Sequence, residues 1–273
     1  MRVSSVASIA ASCLVLVGVV PQAATAAVIL SDDFDDGAIG TNTGGVGTGF
    51  DAFGTGTVSE SGNVATMNAP LDFQNFTGIV SKDLIAADGT TVVWAVDDAT
   101  GGGGAGGSPG NKAAMFVQQD SGSFGNEYIL LSFFGARDNP NTTGANEFSL
   151  VANDGSGAVT YESGILHGID WDNDFTVTAT FTATGYAVAW DDGASGSGSV
   201  WGNWTDQTGF DFNDLTDANG DFRVGAYAQG DRDSTATLVL DSITATAIPE
   251  PATVSLLAMG TAGLLAHRRH RRC

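Results

Sequence analysis

The sequence predicts an all-β chain: a two-sheet antiparallel jelly-roll sandwich, preceded by an N-terminal signal helix and followed by a short hydrophobic C-terminal helix. Three observations predict it. Apolar and polar residues alternate with period two along the middle of the chain, the mark of strands with one buried face. Clusters of Gly, Asp, Asn and Ser punctuate these runs and supply turns. All 5 Trp, 4 Tyr and 15 Phe of the 273 residues lie between Phe34 and Tyr227. A chain too poor in apolar surface to fold would not hold them.

The elements follow in order. Arg2, the apolar run Val6–Val20, the break Pro21-Gln22 and the small residues Ala24-Thr25-Ala26 form the three regions of a secretory signal peptide, residues 1–26, cleaved after Ala26. The apolar run falls short of the roughly 20 residues of a membrane span. Residues 27–248 form the body. In Asp174–Thr182, Phe175, Val177, Ala179 and Phe181 share one face and threonines the other. Gly185 turns the chain, and Tyr186, Val188 and Trp190 line the return strand of a hairpin. Thr90–Val96, Ala113–Gln119, Tyr128–Phe134, Glu147–Ala152, Phe222–Ala228 and Thr237–Thr246 read as further strands, and no segment has capped helical periodicity. Gly101–Gly107 reads as a loop, and no shift of composition divides the body.

The chain carries a formal charge of −21, which excludes nucleic acid as a partner, because phosphate binding needs clustered Lys and Arg. Residues 27–248 hold 5 basic and 30 acidic residues. Cys13 and Cys273 both lie outside that segment, so the body has no disulfide even in an oxidising compartment. With His167 its one histidine, it lacks the usual ligands of zinc or copper. His167 reads as an exposed loop residue.

The C-terminal segment 249–273 is tripartite: Pro249-Glu250-Pro251, an apolar stretch to Ala266, and a basic end containing Arg268, Arg269, Arg271 and Arg272. Such a basic end stays cytoplasmic. The segment resembles the PEP-CTERM protein-sorting signal of Gram-negative bacteria. The resemblance implies export, transient anchoring in the inner membrane, and removal of the tail by an exosortase, a membrane protease. It also implies a final place at the cell surface or in an exopolysaccharide or biofilm matrix. An ordinary C-terminal anchor would have the same orientation.

The body resembles the concanavalin A-like (LamG-like) jelly-roll superfamily through Asp32-Asp33-Phe34-Asp35-Asp36-Gly37, the hairpin 174–190, and the closing runs Phe222–Tyr227 and Leu238–Ile243. The resemblance implies a closing strand that pairs near the opening one, and a glycan-related context. Many such sandwiches join the first strand to an Asp on the last through a structural calcium; the run Asp32–Asp36 with Asp241 is the candidate here, Asp35 and Asp241 matching by position, and surface charge at a domain edge is the other reading. Laminarinase-type members carry E-x-D-x-x-E. The body has Glu60, Glu127, Glu147 and Glu162, no two of them five apart, so the carboxyl pair of a glycoside hydrolase is missing from that pattern. The expected protein is therefore non-enzymatic and possesses either a glycan-binding or a purely structural role; a secreted carbohydrate-active enzyme is the alternative.

Two further groups carry candidate chemistry. Asp217, Asn219 and Asp221 alternate beside Gly220, a spacing with which one loop can wrap calcium; Ala228 stands where an EF-hand has its bidentate Glu. A plain Asn-Gly turn is the other reading. Asp170–Asp174 reads as a solvated turn. Trp201 and Trp204, with Asn203 and Asp206 as polar partners, can stack on sugar rings, or both indoles can cap the core, as the usual burial of Trp favours.

Overall fold

In the computed structural model, the described residues are 26–71, 75–101, 112–119, 127–134, 147–154, 159–162, 166–167, 174–193, 197–204, 212–230 and 235–247. The two expected terminal helices, the cleavage residue Ala24, and Pro249, Glu250, Pro251, Arg268, Arg269, Arg271 and Arg272 lie outside them. Among the described residues no helix is long and apolar enough to cross a membrane.

Alternation becomes burial as expected. In β13 (Phe175–Thr182), Phe175, Val177, Ala179 and Phe181 are buried and the threonines between them are not. In β14 (Gly185–Asp191), Tyr186, Val188 and Trp190 are buried. These strands form a hairpin in which Thr182 faces Gly185. The turn itself is Ala183-Thr184, not Gly185. Gly185 is needed for close approach, since a Cβ there would meet the Gly202 carbonyl oxygen at 2.3 Å.

Two antiparallel sheets form, an arrangement consistent with a jelly-roll sandwich. The first runs β15 (Ser197–Asn203), β14, β13, β7 (Thr90–Gly101), β17 (Ala236–Ala247), β4 (Ala65–Ala69), β3 (Thr57–Glu60). The opening strand β1 (Ala27–Asp32) joins the same sheet by pairing with β17, Ala27 opposite Ala247. The free edge of β17 is thus shared: its first half pairs with β4 and its second with β1. The second sheet runs β11 (Val159–Glu162), β10 (Glu147–Asp154), β9 (Glu127–Phe134), β8 (Lys112–Gln118), β16 (Asp221–Gln229), β5 (Phe76–Ser81), β2 (Phe50–Gly54). Short strands β12 (Leu166–His167) and β6 (Ile85–Ala86) pair with β10 and β16. His167 therefore stands in a strand opposite Glu147 rather than in a loop. A single helical turn, α1 (Phe212–Leu215), precedes β16.

The core lies between the sheets and includes Phe50, Met67, Ile79, Trp94, Met115, Phe181, Phe222 and Leu240. Trp94 of β7 donates its indole N–H to the Gly225 carbonyl of β16 at 3.1 Å, and Phe181 meets Phe222 edge-on at 5.4 Å. A smaller cluster, Val80, Ala114, Phe116 and Tyr227 with Phe53 and Phe76, sits apart on the second sheet.

Two features position the candidate sites. The register of β7 on β17 shifts around Leu240, leaving Asp97 and Asp241 out of the ladder. Strand β15, a stretch with few strand signals in the sequence, pairs fully with β14. Its alternate positions Gly198 and Gly202 lie against the rings of Trp190 and Tyr186, where a Cβ would approach ring or hydroxyl atoms at 2.3 and 2.6 Å. Glycine on the core-facing side removes the apolar alternation that announces a strand.

Candidate functional site

Because the inner positions of β15 are Gly198 and Gly202, the outer ones are Ser197, Ser199, Trp201 and Asn203, all exposed. Trp201 is 73% exposed, which is unusual for an indole. Register places Ala187 opposite Trp201, Ala189 opposite Ser199 and Asp191 opposite Ser197. On the next strand Thr180, Thr178 and Thr176 continue these rows, and Thr91 and Thr180 share a hydroxyl hydrogen bond of 2.9 Å. The result is a face of small side chains and hydroxyls with one indole at its edge. An open groove of about 380 Å³ lies beside it, lined among others by Thr176, Thr178, Asp191, Ser197 and Ser199.

The structure separates the two indoles that the sequence put together. Trp204 is 5% exposed, donates its N–H to the Thr182 carbonyl at 2.7 Å, and packs on Tyr186 and Phe212. It is a core residue and offers no face to a sugar, which corrects the grouping of Trp201 with Trp204. Asp206 lies outside the described residues.

The calcium candidates divide similarly. In the loop before β16, the Asp217 Oδ1 accepts from the amides of Asn219 and Asp221 at 2.8 and 3.0 Å, and Oδ2 from the Asn219 side chain. These bonds hold the exposed carboxyl below its usual range. They close the turn, as in the plain Asn-Gly reading of this loop. Asp35 is exposed and its charge bears on Asp32. Asp241 is half-buried at the register shift, held above its usual range by burial and then by the charges of Asp97 and Asp174. Asp35 and Asp241 thus belong to different acidic groups. Asp174 is exposed; the rest of the Asp170–Asp174 cluster lies outside the described residues. Among the described residues no three His, Cys, Asp or Glu side chains are placed to hold one metal ion.

Nearer the start of the sandwich, Asp32 of the acidic run Asp32–Asp36 stands near Glu60, a neighbour not anticipated from the sequence. Asp32 ends β1 and Glu60 ends β3; they are 3% and 9% exposed. Each has one carboxylate oxygen anchored by a backbone amide: Asp32 Oδ1 accepts from Phe34 at 3.0 Å, Glu60 Oε1 from Gly37 at 2.6 Å. The other oxygens, Asp32 Oδ2 and Glu60 Oε2, are buried with no hydrogen-bond partner. Both acids sit above their ordinary range, chiefly through burial and then, against the pull of those amides, through neighbouring carboxylates including Asp36. Asp36 is the reverse. It accepts from the Thr41 hydroxyl and the Thr43 and Ala38 amides and is held down at about 2. The turn exists because Phe34 and Gly37 adopt φ of 52° and 81°. Glu60 was legible in one respect: it shares the inward phase of Val58 in Thr57–Glu60, whose burial alternates accordingly.

Comparison with known proteins gives a motif and a fold. Residues 247–272 match the PEP-CTERM protein-sorting motif. No curated protein matches the chain. Among solved structures, the VIP36 exoplasmic/lumenal domain in its Ca2+/Man-bound form is similar at 12% identity, over 81% of this chain and 91% of that one, with a TM-score of 0.53. A glycosyl hydrolase family 16 protein from Mycobacterium smegmatis matches at 13% identity over 80% and 100%, TM-score 0.52. A beta-1,3-glucanase from Mycobacterium marinum matches at 14% over 80% and 98%, TM-score 0.52. At these identities the likeness shows the fold alone. The chain thus joins a sandwich of the kind found in concanavalin A-like lectins and family 16 hydrolases to a C-terminal PEP-CTERM sorting motif.

Proposed function

We propose that this is an exported, non-enzymatic surface or matrix protein that binds a neutral polysaccharide on the outer face of β13, β14 and β15. The observation that carries the reading is Trp201, 73% exposed beside an open groove lined by hydroxyls. An indole covers the apolar face of a sugar ring, and hydroxyls beside it bond the ring substituents. Ala187 and Ala189 leave that face flat. Asn203, on the same side of β15, is the polar neighbour. The excess of 30 acidic over 5 basic residues in segment 27–248 repels anionic polymers, which favours an uncharged glycan.

Export rests on the sorting motif and on the signal-like residues 1–26. In this reading the signal is removed after Ala26 and residues 27–248 form the sandwich domain. The tail 249–273 holds the chain in the inner membrane until an exosortase removes it. The mature protein then remains at the surface of a Gram-negative cell or in its exopolysaccharide matrix.

Affinity electrophoresis through gels containing a neutral β-glucan or a mannan tests the binding. The native chain should be retarded and Trp201→Ala should not. Equal mobility of both in every gel overturns the glycan reading. Release of reducing sugar from either polymer would instead support the carbohydrate-active enzyme.

A further inference from the structure

The sorting motif and the sandwich overlap. Residues 247–272 match the motif, and Ala247 is also the last residue of β17. There it stands between Ala27 of β1 and Thr90 of β7, while Thr246 stands between Val28 and Thr91. Ile248 alone separates this three-stranded end from Pro249-Glu250-Pro251. A protease that takes an extended segment holds it through main-chain N–H and C=O groups, as an added strand is held. Each residue has one donor and one acceptor there, so groups engaged in a ladder are not offered to a second partner.

The two outermost rungs between β1 and β17 are set apart from the others. The register shifts between Val28 and Leu30, and such an irregularity interrupts a ladder. Inward of the shift, Leu30 and Ala245 are fully buried in the core. Outward of it, Ala27 is exposed and Val28 is 46% exposed. On the β7 side, Thr90 is buried and its hydroxyl donates to the Ala86 carbonyl at 2.6 Å, which anchors the start of that strand. Strand ends with few buried contacts open locally at small cost. The ends of β1 and β17 therefore move first, and Leu30 with Ala245 marks where the opening stops.

We propose that the rungs Ala27–Ala247 and Val28–Thr246 form a clasp that must open before the exosortase engages the tail. Opening releases Thr246 and Ala247, which with Ile248 supply about 10 Å of extended chain ahead of Pro249. The N-terminal strand thereby controls how fast the C-terminal segment is removed. The inference rests on the processing reading above and adds the control that the fold exerts on it.

The test is a pulse-chase of the full chain in cells that process it, in a Cys13→Ala, Cys273→Ala background. Val28→Cys with Thr246→Cys places two thiols directly opposite, at about the 4.5–5.5 Å between Cα atoms that a disulfide spans. The oxidised pair should lengthen the life of the membrane precursor at least ~tenfold, since cleavage of a transiently opened segment tracks its open population. Dithiothreitol should restore maturation, and each single cysteine variant should mature as the background does. Six Gly/Ser residues inserted between Ile248 and Pro249 should also restore it with the disulfide intact. Maturation of the oxidised pair at the background rate overturns the clasp, and so does a block that the inserted spacer leaves in place. A background chain that is never shortened overturns the processing reading itself, and the clasp with it.

Discussion

Trp94 Nε1 reaches across the sandwich to the carbonyl oxygen of Gly225, 3.1 Å away and 131 residues distant in sequence. The bond lies within the core, where a lone carbonyl is costly. Trp94→Phe fills most of the space and removes the donor. It should cost about 1–3 kcal/mol, read as a lower denaturation midpoint in urea at unchanged slope. Gly225→Ala should cost more, because a Cβ would meet Phe116 Cζ at 2.3 Å and the Ile79 carbonyl at 2.4 Å.

The two indoles near the β15 edge should respond oppositely to truncation. Trp201→Ala removes an exposed ring and should change stability by no more than about 0.5 kcal/mol, while abolishing retardation by polysaccharide. Trp204→Ala opens a cavity beside Tyr186 and Phe212 and should cost about 3–5 kcal/mol. Urea denaturation of both variants checks this. A large stability loss in Trp201→Ala would mean that the ring is packed in solution.

Stability in the presence of chelator should fall as pH rises from the acid side. Asp32 and Glu60, and also Asp241, titrate above their ordinary range in the folded chain. The folded state then holds protons that the unfolded state has lost, so unfolding is opposed most below about pH 4 and the advantage drains away through the raised values. Asp36 has the opposite sign: its contribution is present above the ordinary range and is lost as pH falls toward about 2. Urea midpoints measured from pH 4 to 7 should decline, less steeply in Glu60→Gln. Identical slopes in the two proteins would remove Glu60 as a source of the decline.

Replacing Pro249, Glu250 and Pro251 by alanine should leave a larger precursor in the membrane fraction, because these residues lie in the sorting motif. An immunoblot of fractionated cells reads the size. Normal maturation of this variant would separate the motif from the processing.

The strands legible in the sequence were those whose two faces differ, such as Phe175–Thr182, where every second residue is buried. Their ends fell within a few residues of the observed ones, as in Lys112–Gln118 and Ala236–Ala247. Pairing of the closing strand with the opening one followed from the superfamily resemblance. Strand β15 was hidden because glycine faces the core where a large side chain usually announces it. The sites were harder. Trp201 and Trp204 are three residues apart, an odd spacing that sends their side chains to opposite sides of an extended chain. The sequence shows both indoles but not that the strand runs through them. Asp32 and Glu60 are 28 positions apart, and only the pairing of β3 with β4, and of β4 and β1 with β17, brings them to the same turn.

The shared edge of β17 also has a mechanical side. Ala247 ends that strand at the first residue of the sorting motif and lies opposite Ala27. A cell-surface tether acting through the C-terminus would pull along the axis of β17. Antiparallel rungs run perpendicular to that axis. The load therefore falls in shear on the rungs to β7 on one side and to β4 and β1 on the other, so that they resist together instead of opening singly. The residues that sit at the point of load are also the first and last of the paired sandwich, so a drag on an anchored chain would be met at its most cross-braced strand.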